Sequence, residues 1–332
     1  MNIDGILAGI PALSVLVVGD VCLDRWCRYD PALADRSRET GIPRIAVTEV
    51  ECTPGGAGTV ASNLRALGAG RVAVLGVLGE DGHGHELRRA LRERGIDGSA
   101  LVTAAGVQTF TYTKLINRRS GVEDLARVDF VNACDLPETA QSAVVDRFRG
   151  LAGQVEIVIV SDQAELDRGG VVTAALRQAI TEFADTHPRT VVWVDSRTRG
   201  EQFRRVLVKL NDEEARQACG RLGAASDYQA LRRHIGYGTL MLTRGSEGCV
   251  VVTEGGQTVV PARRVEQPVD ICGAGDSFNA GASLALSLMC DPVTAARFGN
   301  LVASITIMKP GTGTASPAEV RRQAGAECFP AG

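Results

Sequence analysis

Aromatic side chains are scarce in this chain: 8 Phe, 4 Tyr and 2 Trp among 332 residues. A surface that stacks unpaired bases needs several rings along a basic groove, so this scarcity argues against a nucleic-acid partner. An excess of positive charge is missing too. The 36 Lys and Arg against 39 Asp and Glu leave a formal net charge of -3, and a phosphate-bearing ligand has to be held by a local site. The nine cysteines, scattered from Cys22 to Cys328, form no C-x-x-C pair of the kind that binds zinc or does redox work. Most of them read as small buried hydrophobes in a reducing cytosol. Long uncharged apolar runs are also absent. The opening MNIDGILAGIPALSVLVVGD carries Asp4, lacks a basic n-region and is split by Pro11 into a short helix and a strand. That predicts neither a signal peptide nor a membrane span, and a cytoplasmic protein.

With 45% hydrophobic and 23% charged residues, what remains is an ordinary globular composition, long enough to bury a core without disulfides. Apolar runs of strand length recur at SVLVVGD, RVAVLGVLG, VEIVIVSD, TVVWVDS, RVLVKLN and GTLMLTRG. Between them lie helical periodicities such as VASNLRALGA, GHELRRALRERG and VVTAALRQAITEFADTH. Strands apolar almost throughout belong to a parallel sheet covered on both faces, so the expected fold is α/β, a doubly wound, mostly parallel sheet flanked by helices. Two stretches break the rhythm, from about Val21 to Val50 and from about Gln108 to Val131. Their alternation, as in RIAVTEV and TFTYTKLI, predicts a small half-exposed sheet. Inserted into the core order, the two should meet as a lid over the carboxyl ends of the core strands, within a single domain spanning 1–332. An exposed lid sheet could pair across a homodimer.

The sharpest local feature is DICGAGDSFNAGASLALSL, from Asp270 to Leu288. Gly273, Ala274 and Gly275 precede Asp276 and a helix begins at once, which leaves backbone N–H groups to converge on an anion. A carboxylate beside such a nest can take the proton of an attacking hydroxyl while the nest holds a phosphoryl group in transfer. A glycine turn with Asp276 as a plain helix cap would use the same residues.

These residues resemble the late signature of the ribokinase-like (pfkB) carbohydrate kinases, D-T-x-G-A-G-D, with Ile271 for threonine and Cys272 at the variable position. The early glycine pair of that family corresponds to Gly55 and Gly56 in PGGAGTVASNLRALGA, followed by Asn63. GVLGEDGHG matches its G-x-x-G-x-D-x-x-G, LNDEE its N-x-x-E at Asn211 and Glu214, and TRGSEG its nucleotide loop. Within the family, VVGDVCLDR, TYTKL, LARVDF and GNLVASITIMKPGTGTASPAEV are most similar to the heptose 7-phosphate kinase domain of ADP-heptose synthesis enzymes. The chain is then expected to be that kinase half alone.

The resemblance implies an ATP-dependent kinase that needs Mg²⁺ and uses K⁺, acting on a small sugar or sugar phosphate. It implies Asp276 as catalytic base with the Gly273, Ala274 and Gly275 amides as anion hole. Asp24, Gly55, Gly56, Asn63 and Arg127 would hold the acceptor. Asn211, Glu214, Thr243, Gly245, Gly248 and Asn300 would hold the nucleotide, with Glu214 organising Mg²⁺ through water. Asp270, the Cys272 carbonyl and Gly311 would line a monovalent-cation loop. Locally each has a plainer reading: an N-x-x-E pair is a cap, TRGSEG a hairpin turn, Asn300 a polar helix residue.

Of three departures from the family pattern two fall on the sugar side, and the third, at Leu210, is structural only. Thr59 replaces an asparagine and removes an amide donor, SDQAELDRGG replaces a shorter stretch, and Leu210 replaces a proline. The lid arginines Arg25, Arg28, Arg36, Arg38, Arg118, Arg119 and Arg127 read either as a solvated face or as clamps on a phosphate already carried by the sugar. Acceptors such as a hexose phosphate or a nucleoside, or a catalytically silent sugar- or nucleotide-binding protein, stay open. A nicotinamide dehydrogenase does not fit, because the first strand ends in GDVCLD and not G-x-G-x-x-G.

Overall fold

The computed structural model describes residues 1–164, 168–236 and 238–325. Its centre is an eight-stranded sheet in the order Gly256–Val260, Cys249–Thr253, Thr239–Thr243, Leu207–Asn211, Val191–Ser196, Ile157–Asp162, Ser14–Gly19, Arg71–Leu75. The last six run parallel; the Cys249 and Gly256 strands are antiparallel additions at one edge.

Side chains alternate between the two faces of this sheet, and each face is covered by helices. Val15, Val17, Ile159 and Trp193 pack with the helices Ala57–Ala66, Ala274–Ser287 and Pro292–Thr306. Leu16, Val18, Val160 and Val194 pack with Glu138–Leu151, Ala174–Thr186, Asp212–Arg221 and Tyr228–Ile235. Each fully buried Val, Leu or Ile contributes about 1.5–3 kcal/mol, which is why both layers hold without covalent staples. Among the described residues no helix is long and apolar enough to cross a membrane.

A second sheet of four strands stands beside the carboxyl end of the first, in the order Val128–Phe130, Thr111–Asn117, Val21–Tyr29, Val47–Gly56. The crossing between the sheets is short. Asp20 alone separates Ser14–Gly19 from Val21–Tyr29, and Gly19, at φ 140°, passes so close to the Ser161 carbonyl that a Cβ would lie 2.1 Å from it.

The small sheet extends further than its alternation predicts, because Cys52–Gly56 stay paired with Val21–Arg25. Pro54 is tolerated there since the strand is an edge and needs no outward donor. RVAVLGVLG, expected as one strand, breaks at Gly76: Arg71–Leu75 joins the central sheet, whereas Val77–Gly79 pairs with Val102–Ala104. A Cβ on Gly76 would sit 2.8 Å from the Gly19 carbonyl oxygen, so the break lies where two backbones nearly touch.

Candidate active site

Gly273 adopts φ 78°, a left-handed conformation open to glycine, and starts the Ala274–Ser287 helix without a side-chain cap. The first N–H groups of a helix have no partner within it. Ala274 N–H donates to the Ile271 carbonyl at 3.2 Å, so it does not join the nest expected of it; among the described residues nothing accepts from Gly273, Gly275 or Asp276. The turn is wedged from three other segments. A Cβ on Gly273 would meet Thr59 Cγ2 at 3.3 Å and Thr312 Cγ2 at 3.4 Å, and one on Gly275 would meet Lys209 Nζ at 3.2 Å.

Asp276 lines a cavity of about 450 Å³ between the two sheets. Its carboxyl is pushed up to about 7, mostly by burial and further by Asp195, against the pull of Lys209 and Arg197. Asp24, on the second strand, lines the same cavity and is pushed up to about 6, again by burial first, with Lys114 opposing most strongly. Gly55 makes room for it: a Cβ there would fall 2.5 Å from Asp24 Oδ1. Gly56 lines the cavity at φ 56°, where a Cβ would stand 2.5 Å from the Asp20 carbonyl oxygen.

Four cations also reach this space: Lys114, Arg127, Arg168 and Arg197. Lys114 lies 4.2 Å over the Trp26 ring and Arg127 4.6 Å over Tyr112, both steadied by cation–π contact. Arg127 is also forked onto Asp129 at 2.7–3.0 Å. Arg197 Nε donates to Gln163 Oε1 at 2.9 Å. The cavity therefore has a carboxylate of raised basicity beside uncommitted amides, a second carboxylate suited to hydroxyls, and cations around both.

The pfkB family carbohydrate kinase profile matches residues 12–319. The chain belongs to that family. This kinase is 34% identical over 326 residues to the bifunctional protein HldE of Caulobacter sp. strain K31, covering 93% of this chain and 63% of the relative. HldE of Geobacter sulfurreducens is 28% identical, with 96% and 64% covered. The chain thus spans less than two thirds of the curated relatives it matches. The fold is that of Escherichia coli phosphofructokinase-2 in complex with potassium (TM-score 0.69, 17% identity, 95% of this chain and 99% of that one). It is equally that of Arabidopsis thaliana ribokinase complexed with ribose and ATP (0.67, 17%, 94% and 98%). An ATP-dependent carbohydrate kinase on a ribokinase-like scaffold is what family and fold together give.

In the kinase, Asn211 and Glu214 lie at the carboxyl end of a central strand as a complete capping box. Asn211 Oδ1 accepts from Glu214 N at 2.9 Å and Glu214 Oε2 from Asn211 N at 2.6 Å. Burial raises the Glu214 carboxyl, with Lys209 opposing. Thr243 ends the next strand and donates to the Leu210 carbonyl at 3.4 Å; Gly245 and Gly248 shape the turn after it. Asn300 donates to the Val260 and Pro261 carbonyls, both at 3.2 Å, so its amide ties a helix to the sheet edge. Asp270 joins two loops, accepting from Cys272 N at 2.9 Å and Gly311 N at 3.1 Å.

Asn63 is placed away from the cavity: fully buried within its helix, it donates to the Thr59 carbonyl at 3.0 Å. Thr59 donates to the Pro54 carbonyl at 3.3 Å and turns its methyl group onto Gly273, so it supports the turn. Of the seven small-sheet arginines, Arg127 reaches the cavity, whereas Arg25 donates to Thr113 Oγ1 and Arg36 to the Gly41 carbonyl. Within SDQAELDRGG, residues 165–167 lie outside the described residues, as does Cys328.

Sequence reasoning missed Asp20, Lys114, Arg197 and the buried pair Asp195 and Lys209. Asp20 is 5% exposed and accepts three N–H groups, from Gln163 at 2.8 Å, Ala164 at 2.9 Å and Val171 at 2.7 Å. Burial, helped by Asp162, still pushes it up to about 6. A lone lysine inside the apolar strand VLVKLN was the signal for Lys209.

Proposed function

We propose that this kinase transfers the γ-phosphoryl of ATP to a hydroxyl of a sugar phosphate, with heptose 7-phosphate, phosphorylated at C1, as the first acceptor. One observation carries the reading: Asp276 and the open amides of its turn share a cavity with Asp24 and with Lys114, Arg127 and Arg168. Asp24 accepts from sugar hydroxyls, and the cations take the phosphate that the sugar already bears. The likeness to HldE proteins supports the heptose acceptor.

In the reaction, the acceptor oxygen bonds to the γ-phosphorus as the bond to the β–γ bridging oxygen breaks. ADP leaves with that electron pair, and the hydroxyl proton goes to the Asp276 carboxylate. The Gly273, Gly275 and Asp276 N–H groups face the charge on the phosphoryl oxygens. Asn211, Glu214, Thr243 and Gly245, at adjacent strand ends, flank the polyphosphate. The small sheet acts as the lid that keeps water from competing as acceptor.

Magnesium fits this arrangement as a nucleotide-borne ion. The capping box engages one oxygen of Glu214 and one of Asn211, and no group of three or more His, Cys, Asp or Glu among the described residues could hold a metal. When bound, it supplies charge neutralisation of the phosphates. A potassium ion would be held by carbonyls of the two loops that Asp270 joins, since both Asp270 oxygens already accept amides. ATP consumption over a panel of heptose 7-phosphate, hexose phosphates, free sugars and nucleosides, with and without K⁺, tests the reading. The highest kcat/KM is expected for heptose 7-phosphate. Faster turnover of a nucleoside or an unphosphorylated sugar would remove it.

A further inference from the structure

Lys209 is a charge inside a central strand, 5% exposed, on the face that carries Trp193 and Leu207. Its register partner on the next strand is Asp195, also 5% exposed, and Nζ donates to Asp195 Oδ2 at 3.0 Å. The same oxygen accepts from Asn279 Nδ2 at 2.5 Å, and Asn279 Oδ1 accepts from Trp193 Nε1 at 3.1 Å. A buried polar chain thus runs from the core to the underside of the glycine turn. Beyond the turn's own neighbours and helix backbone, Nζ is the only atom among the described residues within 4 Å of where a Gly275 Cβ would stand, at 3.2 Å. The positive end of the pair is therefore the end that faces the turn.

A buried ion pair of this kind is a poor device for stability, because desolvation cancels most of its attraction. Its placement under an anion-binding turn suggests another use. Building on the phosphoryl-transfer reading above, we propose that Lys209 is a positioning residue. Its ammonium, anchored by Asp195 beneath Gly275, fixes the turn that presents the Gly275 and Asp276 amides and puts positive charge behind the developing phosphoryl charge. The groups around Asp276 agree with this. Asp24 and Cys22 face it from the second strand, Cys272 from its own turn, and Asp195 and Arg197 from the strand Val191–Ser196 and the loop after it. Against these, Lys209 and Arg197 are the cations that draw its proton affinity down. Lys209 also faces Glu214, so one ammonium serves both sides of the transferring group.

Two variants test this, measured with ATP and the best acceptor of the panel. Lys209→Met leaves Asp195 buried without its cation. It should lose stability, lower kcat and move the acid limb of the kcat profile to higher pH. Asp195→Asn with Lys209→Met removes both charges together and keeps the core foldable. There kcat should fall about 10- to 100-fold, the scale of a misplaced or weakened anion hole, while the KM values stay within about threefold. A folded double variant with wild-type kcat overturns the inference and leaves the pair structural. A rise in KM at unchanged kcat overturns it equally, since the ammonium would then act on binding alone. Wild-type protein that consumes no ATP with any acceptor instead defeats the phosphoryl-transfer reading itself.

Discussion

Asp276 is one carboxyl whose surroundings decide its use. Burial and Asp195 raise it to about 7, so it binds a proton tightly enough to take one from a hydroxyl yet is largely ionised just above neutrality. As the proposed base it must be deprotonated, so kcat/KM should fall as pH drops below about 7, with the limb following Asp276. Asp276→Asn should cost about 10²–10⁴ in kcat, the usual range for a lost general base, and leave folding intact by circular dichroism. Near-normal turnover in that variant would mean the base is another group. At this scale the motifs pointed to Asp276 and Asp24, and the structure brings both to one cavity. The sequence was silent where chemistry depends on a distant partner. Asn279 and Asp195 are 84 residues apart in the chain, and nothing local in VVWVDS announces the contact.

At the scale of elements, uniformly apolar runs identified the central strands, and alternation identified the small sheet, because each pattern reflects how many faces are covered. The breaks were less legible. RVAVLGVLG reads as one strand since Gly76 splits it for a tertiary reason, the close passage of the Gly19 backbone. The stretch SDQAELDRGG was seen only as a departure in sequence, whereas the anchor of Gln163, Ala164 and Val171, Asp20, lies some 143 positions before the first of them. Asp20→Asn should test that anchor. An amide offers one acceptor oxygen where the carboxylate uses two, so at least one N–H loses its partner, and hydrogen bonds to a charged group are each worth about 1.5–3 kcal/mol. Gln163 and Ala164 line the cavity on the side proposed for the acceptor. The KM for the acceptor should therefore rise by roughly tenfold or more while the KM for ATP changes little. Equal rises in both would show these residues serving the whole site.

For the whole molecule, the raised carboxyls set how stability follows pH. Asp20 and Asp24 are pushed up to about 6 and Asp276 to about 7, so the folded state holds their protons more tightly than the unfolded chain. The stability this brings is present at low pH and is lost as pH rises through those values. The carboxyls that are lowered, among them Asp81, Asp97 and Glu319, titrate below the ordinary carboxylate range and act only at more acid pH. The melting temperature of the ligand-free kinase should accordingly increase from pH 8 to about pH 5.5, and the increase should shrink in Asp276→Asn. A flat profile over that window would show the three carboxyls to be better solvated than their burial indicates.

The passage from one sheet to the other through Gly19 and Asp20 also sets a lever. Asp24 stands four residues beyond Asp20 on an extended strand, an arm of about 13 Å at roughly 3.3 Å per residue. A rotation of the small sheet by about 10° around that point would carry the Asp24 carboxylate through about 2 Å, the difference between a contact and a gap in phosphoryl transfer. Asp276, rooted in a core helix, would stay in place, so the gearing of this short arm makes the position of Asp24 the variable and Asp276 the fixed reference.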